Sequence, residues 1–274
     1  MRDGARAPEI FMVRRHEGTA FMGGAWVFPG GRVDAADVGA ADDTWCDGAA
    51  QAAGALAGVP APEATGFFVA AARELFEEAG VLLAREAAGG FCRISDEDSH
   101  LRIRQLRLEV HGGSLTLRQV VERERLRLAL DALVPLAHWV TPPVDTRRFD
   151  TRFFAARVPP AQTPAHDAAE TTHGIWTTAA DAVARCEQGE IVLPPPTWTT
   201  LRELERFTSV DEALTWARRR RIVRREPQLV ERDGHRLLLL AGDPLRPELA
   251  GDERPLETRF VLTGGVWRAE RPRT

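Results

Sequence analysis

Three glutamates lie within five positions at the end of an apolar helical stretch, in the segment "RELFEEAG" that begins at Arg73. Offsets of three and four place Glu74, Glu77 and Glu78 on one side of a helix, where like charges repel by roughly 0.2–0.5 kcal/mol per pair. Gly80 is a typical helix stop, so the acids also lie near the negative end of the helix dipole. A solvated acidic face is the usual reason for such a charge run. A hard divalent cation would offset this charge better, because carboxylate oxygens are the ligands that Mg²⁺ prefers.

The helix that carries these acids is predicted to run from about Ala64 to Ala79. Its other face has an apolar stripe with helical period, which includes Phe68, Ala72 and Leu75. This pattern predicts a helix that is buried on one side and presents concentrated carboxylates on the other.

The elements around this helix are predicted from periodicity and from turn residues. Strands are expected at residues 10–15, 25–28, 133–141, 152–158 and around Ile175 and Trp176. Residues 38–64 are rich in Ala and Gly, and we expect a surface excursion that the core does not need, with one short helix near residues 49–58. Residues 96–130 predict two helices broken at Gly112 and Gly113.

The last third of the chain predicts two helices and then strands. Each helix after "PPPT" has a capping-box signal, from Thr200 to Glu203 and from Ser209 to Glu212. Three short strands are expected beyond residue 221. The irregular alternation of strands and helices favours an α/β sandwich around a mixed β-sheet over a doubly wound parallel fold.

Composition excludes several classes of function. The formal net charge is -4 and the sequence pI is about 6.0, so no basic footprint indicates nucleic acid as a partner. Lys and Tyr are absent, which excludes a lysine Schiff base and a tyrosine acid. Cys46, Cys92 and Cys186 lack CxxC spacing and indicate free thiols in a reducing compartment. No apolar run is long enough to cross a membrane, so we expect a cytoplasmic protein whose partner is a small molecule.

The string "RELFEEAGV" resembles the second half of the Nudix box at every fixed position. The first half is displaced: the box glycine would fall at position 59, occupied by Val, whereas "FPGG" at 28–31 is a typical lead-in to such a box. Gly31 as the displaced glycine implies an insertion of 28 residues. Asp37 then stands six residues after Gly31, where the family has Glu.

A box split in this way is similar to one branch of the family, the peroxisomal-type coenzyme A diphosphatases and their bacterial relatives. The segments "FMGGAWVFPGGRVDAAD", "WVTP", "RRFDTRFF" and "PPT" also resemble that branch. The coenzyme A signature upstream of the box is kept at Arg15, Gly24 and residues 28–31. It is not kept at Val13, His16 and Ala20.

The resemblance implies a fold and a set of site residues. The fold would be a Nudix-type α/β/α sandwich over residues 1–222, with the box insertion at about 38–64, a helical insertion at about 96–130, and a small β appendage over 223–274. Metal ligands for Mg²⁺ or Mn²⁺ would be the three glutamates with the Gly31 carbonyl, and Arg73 would orient a glutamate through a charge-assisted bond. Phosphates of the substrate would be met by Arg15, Arg147 and Arg148. Glu170 could act as a distant base, although a surface acid is an equal interpretation.

The implied activity is hydrolysis of the diphosphate in a nucleoside-diphosphate derivative, with coenzyme A or acyl-coenzyme A as the best candidate. A pyrophosphatase for ADP-ribose, NADH or another nucleotide conjugate is the nearest alternative. A non-catalytic module that senses a nucleotide is the alternative from another class, and an acidic-faced helix in an unrelated structural protein is the third. A homodimer is a candidate assembly of this chain.

Overall fold

The computed structural model of the protein describes residues 1–18, 22–39, 41–143, 148–167, 171–246 and 257–270. The helices in these ranges are α1 (Ala49–Ala55), α2 (Ala61–Ala79), α3 (Glu97–His111), α4 (Leu117–Arg123), α5 (Ala179–Glu187), α6 (Pro195–Leu204) and α7 (Val210–Arg219), and a short 3₁₀ helix covers Leu130–Ala132. The strands are β1 (Arg2–Asp3), β2 (Pro8–Arg15), β3 (Trp26–Val27), β4 (Cys46–Asp47), β5 (Ala84–Arg85), β6 (Arg127–Ala129), β7 (Val134–Val140), β8 (Asp150–Ala155), β9 (Thr171–Thr178), β10 (Arg224–Arg225), β11 (Gln228–Arg232), β12 (His235–Leu239), β13 (Arg259–Thr263) and β14 (Val266–Glu270).

The central β-layer is built from two small sheets. In the first, β2 lies between β9 on one edge and β1 and β3 on the other, and every pairing is antiparallel. In the second, β7 pairs antiparallel with β8 and parallel with β10, which makes this sheet mixed. Two further sheets lie outside this layer. They are β4-β6-β5, formed by the box insertion and the segments that follow α2 and α4, and the antiparallel meander β11-β12-β13-β14.

Helices cover both faces of the β-layer. Side chains alternate between the two faces of a strand, so neighbouring residues in β2 and β8 show what lies on each side. Met12 and Ala155 belong to a core with α5, α6 and α7, whereas Phe11 and Phe154 pack into a core around α2. The predicted α/β/α sandwich with a mixed sheet is therefore confirmed.

Helix α2 has the predicted end and a slightly earlier start. It begins at Ala61, after Pro60, rather than near residue 64. It ends where Gly80 adopts φ 68°, a left-handed conformation that glycine reaches without a side-chain penalty. In the predicted apolar face, Phe68 and Ala72 are almost inaccessible to solvent and Leu75 is half-buried, and Phe76 beside it is also buried.

The expectation that the core does not need residues 38–64 is wrong. Trp45 is only 3% exposed, and Cys46, Ala52 and Leu56 are also buried in the core around α2. Helix α1, made of Ala, Gly and one Gln, packs on α2. Small side chains permit this close approach but carry no apolar periodicity, so the segment resembles a loop in the sequence.

The helical insertion is confirmed as two helices, α3 and α4, with a break at Gly112 and Gly113. The predicted capping box at Ser209 is confirmed in one half, because the Ser209 hydroxyl accepts the Glu212 N–H. In the other half, the Glu212 carboxylate accepts the Thr208 N–H instead of the Ser209 N–H. The predicted capping box at Thr200 is wrong. Helix α6 already begins at Pro195, and the Thr200 hydroxyl donates to the Pro196 carbonyl inside the helix.

The three predicted C-terminal strands are present as β12, β13 and β14, and β11 precedes them in the same sheet. This meander contacts the helical layer, because Phe260 packs edge-to-face on Trp198 of α6 with ring centroids 5.6 Å apart. Residues on both sides of position 222 thus share one core. None of the helices in the described ranges is both long and apolar enough to cross a bilayer.

Candidate active site

The carboxylates of helix α2 lie against Gly30 and Gly31, which precede the box insertion. The Gly30 N–H donates to Glu78 Oε2 at 2.8 Å. A Cβ on Gly31 would collide with the Glu74 carboxylate, so a larger residue at this position would displace Glu74 from the site. Residues that are more than forty positions apart in the sequence therefore meet in one site.

Arg73 connects α2 to the segment around Asp37, and each of its three guanidinium nitrogens donates at least one hydrogen bond. Its Nη1 donates to Glu74 Oε1 and to Glu77 Oε1, each at 3.0 Å. Its Nε and Nη2 donate to the two carboxylate oxygens of Asp37 at 3.2 and 2.9 Å, and Nη2 also reaches the Arg32 carbonyl at 2.7 Å. The predicted charge-assisted bond between Arg73 and a box glutamate is confirmed.

Asp37, which stands six residues after Gly31 where the family has Glu, lies beside Arg73 in the site. The side chain is buried, only 3% exposed, and it also accepts the Asp34 N–H at 2.8 Å. A bidentate pair of this kind fixes both distance and orientation. Asp37 therefore fastens the start of the insertion to α2, and the split box is closed in space.

The local charge is strongly negative despite Arg73. Burial opposes the charged form of Arg73, but the bonds to Asp37 and Glu77 outweigh it and raise the pKa of the guanidinium. Around it lie the carboxylates of Asp34, Asp37, Glu74, Glu77 and Glu78. Among the described residues, Arg107 of α3 brings a second guanidinium to the cluster. Five carboxylates against these two guanidiniums leave a formal excess of three negative charges.

Helix α3 contributes two side chains that no motif in the sequence indicates. Arg107 Nε donates to the Glu77 carbonyl at 2.7 Å, and His111 Nδ1 lies 3.7 Å from Glu77 Oε2. Burial lowers the pKa of Arg107, while the charges of Asp167 and Glu78 act in the opposite direction. The signal available in the sequence was their spacing of four on one side of α3, which by itself does not reveal a contact with α2.

The donor set has the chemistry of a site for a hard divalent cation. Three partly buried carboxylates carry excess negative charge beside a glycine whose backbone they touch. Across the described ranges, no three or more His, Cys, Asp or Glu side chains converge on a common metal position. The glutamates are instead engaged with the N–H donors of Arg73 and Gly30.

The arginines predicted to bind substrate lie in different surroundings. Arg15 ends β2 and is half-buried, and within the described residues its Nε is buried without a hydrogen-bond partner. Arg148 is directed to Glu226, with Nη2 at 2.9 Å from Oε1, and to the Thr141 carbonyl. Arg147 and the candidate base Glu170 lie outside the described residues.

Comparison with known proteins gives a family and a fold. The model of the NUDT19 Nudix domain matches residues 49–206. A human protein named acyl-coenzyme A diphosphatase NUDT19 is 30% identical over 92% of this chain and 74% of its own length. A Xenopus laevis protein of the same name is 25% identical over 88% of this chain and 72% of its own.

A solved structure shows the same fold. The crystal structure of a NUDIX hydrolase from Alicyclobacillus acidocaldarius superposes with a TM-score of 0.63 at 27% identity. The match covers 78% of this chain and 91% of that one.

Proposed function

Because this chain belongs to the NUDT19 Nudix domain family of Nudix hydrolases, we propose that it hydrolyses the diphosphate of coenzyme A or acyl-coenzyme A with the help of Mg²⁺ or Mn²⁺. The observation that carries the proposal is the carboxylate cluster of α2, packed on Gly30 and Gly31 and joined by Arg73. The relatives named acyl-coenzyme A diphosphatase supply the substrate class.

The residues of α2 divide the work between holding the cation and shaping the site. Glu74, Glu77 and Glu78, with the Gly31 carbonyl, are the proposed metal ligands. When bound, the cation would lower the pKa of a water molecule and neutralise charge on the diphosphate. Arg73 keeps Glu74 and Glu77 side by side, which limits the reorganisation needed before the cation and substrate bind.

Arg15 is the proposed partner of the substrate's 3'-phosphate. It lies half-buried at the end of β2, in the part of the coenzyme A signature that this sequence keeps. The chain contains no lysine, so arginine is the only permanent side-chain cation available for this task. Arg147 and Arg148 are the other arginines proposed to bind substrate phosphates. Arg148 would have to give up its contact with Glu226 to bind a phosphate.

A comparison of four substrates tests the substrate class. Coenzyme A, its desphospho form, ADP-ribose and NADH should be turned over under identical Mg²⁺, and we expect coenzyme A to have the highest kcat/KM. A charged contact to the 3'-phosphate, about 1.5–3 kcal/mol, corresponds to a preference of roughly ten- to a hundredfold over the desphospho form.

The variant Arg15→Met should remove most of this preference, because the desphospho substrate lacks the group that Arg15 binds. Arg14→Met is the matched control, since Arg14 is the neighbouring residue and pairs with Glu17 and the Gly24 carbonyl. A higher kcat/KM for ADP-ribose or NADH would instead assign the alternative nucleotide-conjugate activity. Binding without turnover of any of the four would indicate a non-catalytic nucleotide sensor.

The compartment and the oligomeric state of the enzyme are also part of the proposal. The three cysteines are free thiols, which suits a reducing cytoplasmic compartment. A homodimer remains a prediction that sedimentation of the purified chain would test.

A further inference from the structure

Helix α3 reaches the carboxylate cluster at the C-terminal end of α2. We propose that Arg107 and His111 of α3 are positioning residues that hold Glu77 in the geometry in which it binds a divalent cation. This inference rests on the proposed function, because it takes Glu77 as a metal ligand. The helical insertion would then contribute directly to the geometry of the metal site.

Arg107 secures the backbone at Glu77. The last four carbonyls of a helix have no partner within the helix and must find one elsewhere. In α2, the Ala79 carbonyl accepts the Ala165 N–H at 2.9 Å, and the Glu77 carbonyl accepts Arg107 Nε at 2.7 Å. A cation at this end of a helix is also favoured by the helix dipole.

The position of Arg107 is itself well defined. Its helix is anchored by the buried side chains of Ile103, Leu106 and Val110. Arg107 Nη1 lies against Gly80, where a Cβ would be only 3.0 Å away, and Nη2 is buried without a hydrogen-bond partner among the described residues. Because Arg107 is held in this way, its hydrogen bond to the Glu77 carbonyl fixes α3 relative to the end of α2.

His111 addresses the side chain of the same glutamate. It follows Arg107 by four residues and therefore lies on the same face of α3. Its Nδ1 is 3.7 Å from Glu77 Oε2, while Arg73 Nη1 occupies Oε1 at 3.0 Å. Both carboxylate oxygens and the carbonyl of Glu77 thus have a neighbour, and two of the three neighbours come from α3.

Electrostatics and positioning make opposite predictions for Arg107. A positive charge close to a cation site repels the cation, so its removal should tighten metal binding if charge alone matters. Loss of a positioning contact should weaken metal binding, and substitutions of such outer residues typically cost about 10–100-fold in affinity. The sign of the change therefore decides between the two.

The test measures Mn²⁺ binding to the full chain, by the electron paramagnetic resonance signal of free Mn²⁺, so that the result does not depend on turnover. We expect Arg107→Met and His111→Gln each to raise the Kd at least about tenfold. Arg104→Met is the matched control, because Arg104 is an exposed arginine one turn earlier on the same helix. The control should leave the Kd unchanged.

The variant Glu77→Gln separates failure of this inference from failure of the proposed function. If Glu77→Gln binds Mn²⁺ as tightly as the wild type, the proposed metal role of Glu77 is wrong. If Glu77→Gln weakens binding but Arg107→Met and His111→Gln bind as the wild type or more tightly, the positioning role is wrong. A lower unfolding temperature of Arg107→Met with an unchanged Kd would reduce Arg107 to a helix cap and overturn the inference, and His111→Gln decides the matter if Arg107→Met does not fold.

Discussion

At the scale of single residues, the site depends on Arg73 and Asp37, which lie 36 positions apart. Arg73 could be predicted because it stands in a contiguous pattern with the three glutamates on one helix. Asp37 could be predicted by its distance from Gly31, at the end of the segment that resembles the coenzyme A diphosphatase branch. Arg107 and His111 could not be predicted, because a contact between the surfaces of two helices leaves no pattern in either helix alone.

His138 in β7 gives the protein a pH-dependent term in its stability. Burial lowers the pKa of His138, and the charges of Arg152 and Arg224 act in the same direction, while the Asp150 carboxylate 2.8 Å from Nε2 opposes them. The neutral imidazole is thus favoured in the folded state. Its contribution is present in full above the unfolded-state pKa of about 6.5 and is lost as the pH falls below that value.

We therefore expect the free energy of unfolding of the wild type to fall more steeply than that of His138→Gln when the pH is lowered from about 7.5 to about 5.5. Urea unfolding of both proteins at the two pH values measures this difference. Equal slopes would show that His138 does not titrate in this window. A wild type that gains on the variant at low pH would show that the ion pair with Asp150 outweighs burial.

At the scale of elements, the box insertion is a structural part of the site. It carries Asp37 to Arg73 and then returns through β4 and α1, which pack on α2. The strands and long helices could be predicted, because alternation and helical period continue over many residues in them. The role of the insertion could not, because its large buried side chains, Trp45 and Leu56, stand among small and acidic residues without a repeat.

We predict that Trp45→Ala lowers the free energy of unfolding by about 3–5 kcal/mol, the usual cost of removing a large buried side chain. Leu101→Ala on α3 is the control, because Leu101 is 55% exposed, and it should cost no more than about 0.5 kcal/mol. Urea denaturation measures both. Equal effects of the two substitutions would show that the core does not depend on the insertion, as its composition indicated.

At the scale of the whole molecule, two cores flank the β-layer, and the site lies with one of them. The core around α2 includes the box insertion and α3, so the elements that hold the carboxylates are packed together. The core around α6 joins the C-terminal meander to the helical layer through Trp198 and Phe260. Both insertions therefore share a core with the helix that carries the carboxylates, although their local sequence patterns are typical of additions to a domain.

The initial rate of coenzyme A cleavage by the wild type and by Glu77→Gln, both with saturating Mg²⁺, tests the central claim most directly. Gln keeps the size of the side chain and an oxygen for Arg73 but removes a charged ligand, so the fold should persist. We predict adenosine 3',5'-bisphosphate as a product of the wild type and a rate at least about a hundredfold lower for Glu77→Gln. An equal rate of cleavage by the two proteins, with Mg²⁺ still required, would contradict the assignment of the α2 carboxylates as the metal site.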